Sequence, residues 1–311
     1  MRYRALGDSG LRVSEICLGT WTTFGGTLGE NAAVALVDDA FECGVNFFDT
    51  ANVYSEGRSE EVLGRALAGR PRDSFVVATK VMGEMPNGDR GLSREQIHKQ
   101  IDASLERLRL DHVDLYQCHS YDEDVPVEET LGALTEVVDA GKVRFVGVSN
   151  WTGEQIRNAV ALAREDGFAK VVSSQPEYSL LYREPEQDVI PASREHGVSQ
   201  IVYSPLAQGV LSGKYRAEEA FAEGTRAHAR SEFMSEYLAE DVLGRVERLR
   251  PVADGLGVTT AQLALAWILR EPNVASAIVG ASRPEQLRDN AAASSVELDD
   301  GTLAAIDAVF A

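Results

Sequence analysis

The sequence predicts an α/β protein built as a single (β/α)8 barrel, in which eight parallel strands, each followed by a helix, close on themselves. Three observations carry this. Eight short apolar runs alternate with amphipathic stretches of helical period from one end of the chain to the other. Each run is hydrophobic enough to be buried on both faces, as parallel strands covered by helices must be. No change of composition and no linker divides the 311 residues, so residues 1–311 read as one barrel domain rather than as two doubly wound ones.

Taken in order, RYRALGDSG (Arg2–Gly10) reads as a short hairpin ahead of the barrel. The strand candidates are EICLGT from Glu15, VNFFDTA from Val45, SFVVATKV from Ser74, VDLYQCH from Val113, VRFVGVSN from Val143, VVSSQPEY from Val171, QIVYSPLA from Gln200 and ASAIVGAS from Ala275. Helices are predicted over Ala32–Cys43, Ser59–Ala68, Ser93–Leu108, Val127–Ala140, Thr152–Asp166, Glu186–Glu195, Thr259–Arg270 and Pro284–Ala293. Ser93 with Gln96, and Thr152 with Gln155, have the spacing of a capping box. Gly44, Gly69, Gly141, Gly167 and Gly197 each follow a helix candidate, where a left-handed residue stops the helix. Tyr215–Leu243, after the seventh strand, reads as one long irregular insertion.

Composition excludes several classes. The hydrophobic fraction of 44% rules out a disordered chain. The longest apolar run, Leu263–Leu269 (LALAWIL), falls far short of the roughly 20 residues of a spanning helix, so membrane insertion is not expected. No apolar stretch follows the early arginines, so no secretory signal is read and the cytoplasm is the expected location. With 30 Lys and Arg against 49 Asp and Glu, the net charge of −19 repels phosphate backbones and argues against a nucleic-acid partner. Cys17, Cys43 and Cys118 have no paired spacing and read as reduced thiols, and the five histidines show no metal-ligand spacing, so no metal is expected.

In such a barrel, chemistry sits at the C-terminal ends of the strands. There the sequence places Thr20 and Trp21, Asp49, Lys80, His119, Ser149 and Asn150, Gln175, Tyr203 and Ser204, and Ser282. Within this set Asp49, Tyr54, Lys80 and His119 are chemically coherent. A carboxylate partners a buried lysine, the ammonium lowers the pKa of a nearby phenol, and a histidine supplies a second donor or a proton relay. Taken singly, Lys80 and Asp49 read equally as a structural ion pair, Tyr54 as a loop aromatic and His119 as a core histidine; the grouping is what points to proton transfer. Nucleotide motifs are missing. There is no G-x-G-x-x-G, and GVLSGKY at Gly209–Tyr215 is one residue short of a P-loop and lacks the hydroxyl after its lysine.

Phe48-Asp49-Thr50-Ala51 with Tyr54 and Glu61, Leu63 and Gly64 resembles the first signature of the aldo-keto reductases. Ala78-Thr79-Lys80, the Tyr116–His119 strand end, Gly147-Val148-Ser149-Asn150, Ser204-Pro205-Leu206 and Gly280-Ala281-Ser282 resemble the others, in family order. LGTWTTFGG at Leu18, GLSREQI at Gly91 and SPLAQGVLSGKY at Ser204 resemble the branch that includes the potassium-channel β-subunits and their bacterial relatives. Those subunits commonly have asparagine where this chain has His119.

The resemblance implies an NADPH-dependent reductase of aldehydes or ketones, with NADPH extended across the barrel mouth. Asp49, Tyr54, Lys80 and His119 would form the catalytic tetrad, with Tyr54 as the acid. Ser149, Asn150 and Gln175 would hold the nicotinamide carboxamide and Tyr203 would stack on the ring. Thr20 and Trp21 join these contacts. Ser204, Pro205, Leu206 and Gly209 would face the pyrophosphate, with Lys214 and Arg226 as counter-charges, and Gly280, Ser282, Arg283, Gln286 and Asn290 would hold the adenosine end. The expected partner is a small-molecule carbonyl substrate, its specificity set by loops around Trp21, residues 82–90, Trp151 and the insertion. Homo-oligomerisation is common in this branch. The alternative implied function is a redox-sensing NADPH-binding accessory module.

Overall fold

The structure, a computed structural model, describes residues 1–215 and 237–310. Strands β1 (Tyr3–Ala5) and β2 (Arg12–Ser14) pair antiparallel with Arg4 opposite Val13, so the predicted hairpin forms and reaches somewhat beyond Gly10. The barrel strands follow as β3 (Ile16–Gly19), β4 (Phe47–Asp49), β5 (Val76–Val81), β6 (Val113–Cys118), β7 (Val143–Ser149), β8 (Val171–Gln175), β9 (Ser199–Val202) and β10 (Val274–Val279). They pair in parallel in chain order, and β10 returns to β3 with Ala277 opposite Ile16, which closes the barrel.

The helices are α1 (Glu30–Glu42), α2 (Arg58–Leu67), α3 (Arg94–Leu108), α4 (Val127–Asp139), α5 (Gly153–Asp166), α6 (Val189–Glu195), α7 (Glu240–Leu256), α8 (Thr260–Leu269), α9 (Pro284–Ala292) and α10 (Asp300–Phe310). None is long and apolar enough by itself to cross a membrane. Thr152 and Gln155 make the predicted capping box at α5, each side chain satisfying the other's backbone N–H at 3.2 and 2.9 Å, and Gly167 ends that helix at φ 75°.

Three stretches depart from the sequence reading. The predicted helix over Glu186–Glu195 starts only at Val189, because Asp188 is drawn away to the Gly153 N–H and Arg157, leaving a separate 3-10 turn at Glu184–Glu186. α7 begins inside the predicted insertion, whose residues 216–236 lie outside the described residues. α10 was not predicted at all and packs on α7.

Two apolar layers hold this arrangement. Outside the barrel, helix stripes such as Leu36, Leu63, Ile101, Leu134 and Ile156 meet the outward faces of the strands, each fully buried aliphatic side chain contributing about 1.5–3 kcal/mol. Inside, the lower end is filled by Phe47, Leu115 and Ile201 and capped by Leu6, Leu11 and Val13 of the hairpin. Arg4 fixes the cap by donating to the carbonyls of Leu269 and Val274 while pairing with buried Glu15. The polar residues of the interior therefore collect at the other end.

Gly64 marks a close helix contact: a Cβ there would lie 2.3 Å from the carbonyl oxygen of Leu108, at the end of α3. Gly64→Ala must push α2 and α3 apart and is expected to cost about 1–3 kcal/mol in urea denaturation. A cost below about 0.5 kcal/mol would show that the two helices slide freely.

Candidate active site

Alternation along β5 builds the centre of the mouth. Thr79 points outward and donates to Glu60 of α2 (2.5 Å), which also pairs with Arg107 of α3 (2.7 Å). Lys80 therefore points inward. Fully buried, it uses all three ammonium hydrogens: on Asp49 Oδ1 (2.5 Å), the Thr50 carbonyl (2.8 Å) and Tyr54 Oη (3.1 Å). The loop after β4 continues its ladder onto β5, Thr50 N to the Ala78 carbonyl and Asn52 N to that of Lys80, and Asn52 also bonds Gln100 of α3. That tether delivers the Tyr54 hydroxyl to the ammonium. His119, whose backbone N–H bonds the Val81 carbonyl, approaches the same hydroxyl with Nε2 at 3.5 Å, ring centroids 5.6 Å apart. The four residues grouped from the sequence are thus brought together.

Their electrostatics differ from expectation in one respect. Burial would lower the Lys80 pKa, but Asp49 and Tyr54 reverse this and hold it above its ordinary value. Burial raises Tyr54, and Lys80 opposes that without overcoming it, so the phenol is less acidic than a free tyrosine rather than more. The expected acidification by Lys80 is present but outweighed by desolvation, and the phenol keeps its proton. Burial, assisted by the Lys80 charge, lowers His119 to about 3, which makes it a neutral imidazole near pH 7.

A second chain of hydrogen bonds joins the carboxamide candidates. Tyr203 Oη donates to Asn150 Oδ1 (2.9 Å), and Asn150 Nδ2 donates to the His119 carbonyl (3.1 Å) and to Ser149 Oγ (3.2 Å). Ser149 Oγ donates to the Gln175 carbonyl (2.8 Å). Thr20 is buried at the end of β3, its N–H on the Asp49 carbonyl and its Oγ1 without a partner among the described residues; Trp21 beside it is exposed. Ser204 is held by Gln208, and Pro205 and Leu206 lead to Gly209, against which the Lys214 ammonium lies so closely that a Cβ would be 3.2 Å from it. Across the rim, Gly280 and Ser282 are exposed, Gln286 Oε1 accepts from both the N–H and the hydroxyl of Ser282, Arg283 is the exposed N-cap of α9, and Asn290 is buried further along that helix. Arg226 lies outside the described residues.

Ser55, Glu56, Met82, Asn150 and Ser204 all have φ between 49° and 142° and all sit in loops that leave the top of the barrel. Positive φ in a non-glycine residue costs on the order of 1–3 kcal/mol, and here that strain gathers at the mouth. Trp151, read from the sequence as a rim residue, is instead buried edge-on against Tyr121, centroids 4.8 Å apart. Sequence reading missed Gln117, fully buried beside Asp49. The signal was available: two residues after inward Leu115, a glutamine in a buried strand is a polar group that needs partners inside.

The chain matches the model of the aldo/keto reductase family over residues 15–311. The chain belongs to the aldo/keto reductase family. Among its relatives, a protein of Arabidopsis thaliana named probable voltage-gated potassium channel subunit beta is 41% identical, over 93% of this chain and 90% of the relative. A protein of the same name from Oryza sativa subsp. japonica is also 41% identical, with the same coverage. The uncharacterized oxidoreductase YrpG of Bacillus subtilis is 37% identical over all of this chain and 96% of its own length. This aldo/keto reductase is thus similar both to a named oxidoreductase and to proteins named as channel subunits.

The depressed pKa of His119 gives a direct check. In the folded protein its ring should show no titration by nitrogen-resolved NMR between pH 5 and 8, identified by comparison with His119→Asn. Because the folded value lies below the ordinary one of about 6.5, the stability linked to His119 is complete above that pH and is lost as pH falls toward about 3. A ring titrating above pH 6 would mean that the imidazolium forms in the site.

Proposed function

We propose that this oxidoreductase reduces aldehydes or ketones to alcohols with NADPH, in the cytoplasm, with Tyr54 as the general acid. One observation carries the reading: a single phenol hydroxyl lies between a buried, carboxylate-paired ammonium and a neutral imidazole. Lys80 stabilises negative charge on the phenol oxygen as the proton leaves, and Asp49 keeps Lys80 charged through that change. Neutral His119 with hydrogen on Nε2 donates to a carbonyl oxygen near Tyr54, orienting it without competing as an acid. NADPH, when bound, supplies the hydride; with the Tyr54 proton this converts a carbonyl to an alcohol and leaves NADP⁺.

The residues present fit that cofactor. Thr20 Oγ1 is buried beside the mouth with an unused hydrogen-bonding capacity. Gly209, at a φ of 92° that favours glycine, leaves bare backbone beside the Lys214 ammonium, a cradle suited to an anionic linker. Arg283 and the first amides of α9 offer positive charge to a 2′-phosphate, and Arg283 has no ion pair among the described residues. Ser149, Asn150 and Gln175 form the polar wall for a carboxamide, and Tyr203 the flat one for a ring. A second reading, a cofactor-binding accessory subunit, is favoured by the names of the two plant relatives.

Tyr54→Phe separates the two. Because it removes the transferable proton and no cofactor contact, turnover of an aldehyde panel should fall by about a hundredfold or more while NADPH affinity by fluorescence titration is kept. Turnover that survives the change would remove Tyr54 as the acid, and a wild-type protein that binds NADPH yet reduces no carbonyl would favour the accessory role. Arg283→Ala removes a charge-assisted pair of about 1.5–3 kcal/mol, so NADPH binding should weaken roughly tenfold or more with NADH nearly unchanged. Equal weakening of both would place Arg283 away from the 2′-phosphate.

A further inference from the structure

Asp49 has partners that the proposed proton transfer does not use. Its Oδ1 belongs to Lys80; its Oδ2 accepts from Gln175 Nε2 at 3.0 Å and from Gln117 Nε2 at 3.4 Å. Gln175 Nε2 also donates to Gln117 Oε1 at 3.3 Å. All three side chains are buried, so no water competes for these bonds. The donor chemistry leaves one arrangement. A carboxylate only accepts, so both amides must turn nitrogen toward Oδ2, and Gln117 then has its oxygen left for the second hydrogen of Gln175. Turning the Gln175 amide over would set its oxygen against Asp49 Oδ2 and Gln117 Oε1 together, acceptor against two acceptors. Its Oε1 takes no hydrogen bond from any described residue and is not among the sealed, orphaned oxygens of this interior.

We propose that Gln117 is a positioning residue that locks the Gln175 amide with its nitrogen inward and its oxygen free to accept from the NH₂ of a carboxamide, while holding Asp49 Oδ2 so that Oδ1 faces Lys80. This rests on the NADPH reading above. Gln117 thereby joins the group that orients the proton donor to the group that recognises the nicotinamide. An acceptor oxygen selects an amide over a carboxylate, because a carboxylate in the same place brings no hydrogen.

The first readout needs no turnover. Calorimetric titration of the full chain with NADP⁺, and with its analogue carrying nicotinic acid in place of nicotinamide, gives a ratio of affinities. Wild type should prefer the amide by about tenfold or more. Gln117→Met, similar in volume but without hydrogen bonds, should narrow that ratio at least threefold, since Gln175 then keeps one anchor instead of two and its amide can turn nitrogen toward the carboxylate. Gln117→Glu, which presents an acceptor oxygen to Gln175 in either protonation state, should keep the ratio and add an ionisation to the pH profile of carbonyl reduction, because two adjacent carboxylates do not both ionise readily. Circular dichroism establishes that each variant is folded; if the methionine variant is not, the glutamate variant decides. An unchanged ratio in Gln117→Met, a collapsed one in Gln117→Glu, or a wild type that binds both nucleotides equally would overturn the role of Gln117. A wild type that binds neither nucleotide would instead defeat the NADPH reading on which it rests.

Discussion

A lysine buried to zero exposure in a barrel interior must be charged and paired, or neutral, and the choice governs everything around it. Here Asp49 settles the choice in favour of charge, and each further contact follows from the need to satisfy those two ions. The third ammonium hydrogen goes to Tyr54, whose loop is tethered to β5 to receive it. The second carboxylate oxygen draws in Gln175 and Gln117. The same positive charge helps keep His119 neutral. Removing either ion would leave the other unpaired in a place that water does not reach.

That ionic centre is sustained by a division of the barrel interior. The hairpin closes the bottom with Leu6, Leu11 and Val13, and the layer above it is apolar, so water is excluded from below. The top is rimmed by loops whose non-glycine residues hold left-handed backbone, and they are fixed by the bonds among Tyr203, Asn150, Ser149 and His119. The apolar filling of the interior lies at one end of the strands and the backbone strain at the other, so a packed scaffold holds costly geometry in place.

Much of this was legible in the sequence because it depends on period and on strand ends. The eight strands, the hairpin and the group Asp49, Tyr54, Lys80 and His119 all follow from alternation and from knowing which end of a parallel strand carries chemistry. What was not legible depended on competition or on partners distant in sequence. The net direction of the Tyr54 pKa is a contest between burial and Lys80 that residue identity does not decide. Trp151 turned inward because Tyr121 was there to receive it. α7 carries a buried stripe of Leu243, Val246, Leu249 and Ala253, a readable helical spacing obscured by grouping its first residues with the irregular stretch before it.

The closure of the ring also bears on how the chain acquires its structure. β3 finds its second neighbour only in β10, and Arg4 reaches the carbonyl of Val274, 270 residues further on. During synthesis from the N-terminus, the hairpin and first strands emerge long before the strand that completes them. The open sheet keeps unpaired edges at β3 and at the latest strand made, and Arg4 lacks the carbonyls of Leu269 and Val274 that it binds in the closed barrel. Cooperative folding is thereby deferred until β10 has been made, and the nascent protein passes through a long interval in which exposed edges favour association with other chains. A barrel that hides every strand edge when finished exposes two of them until its final strand is made.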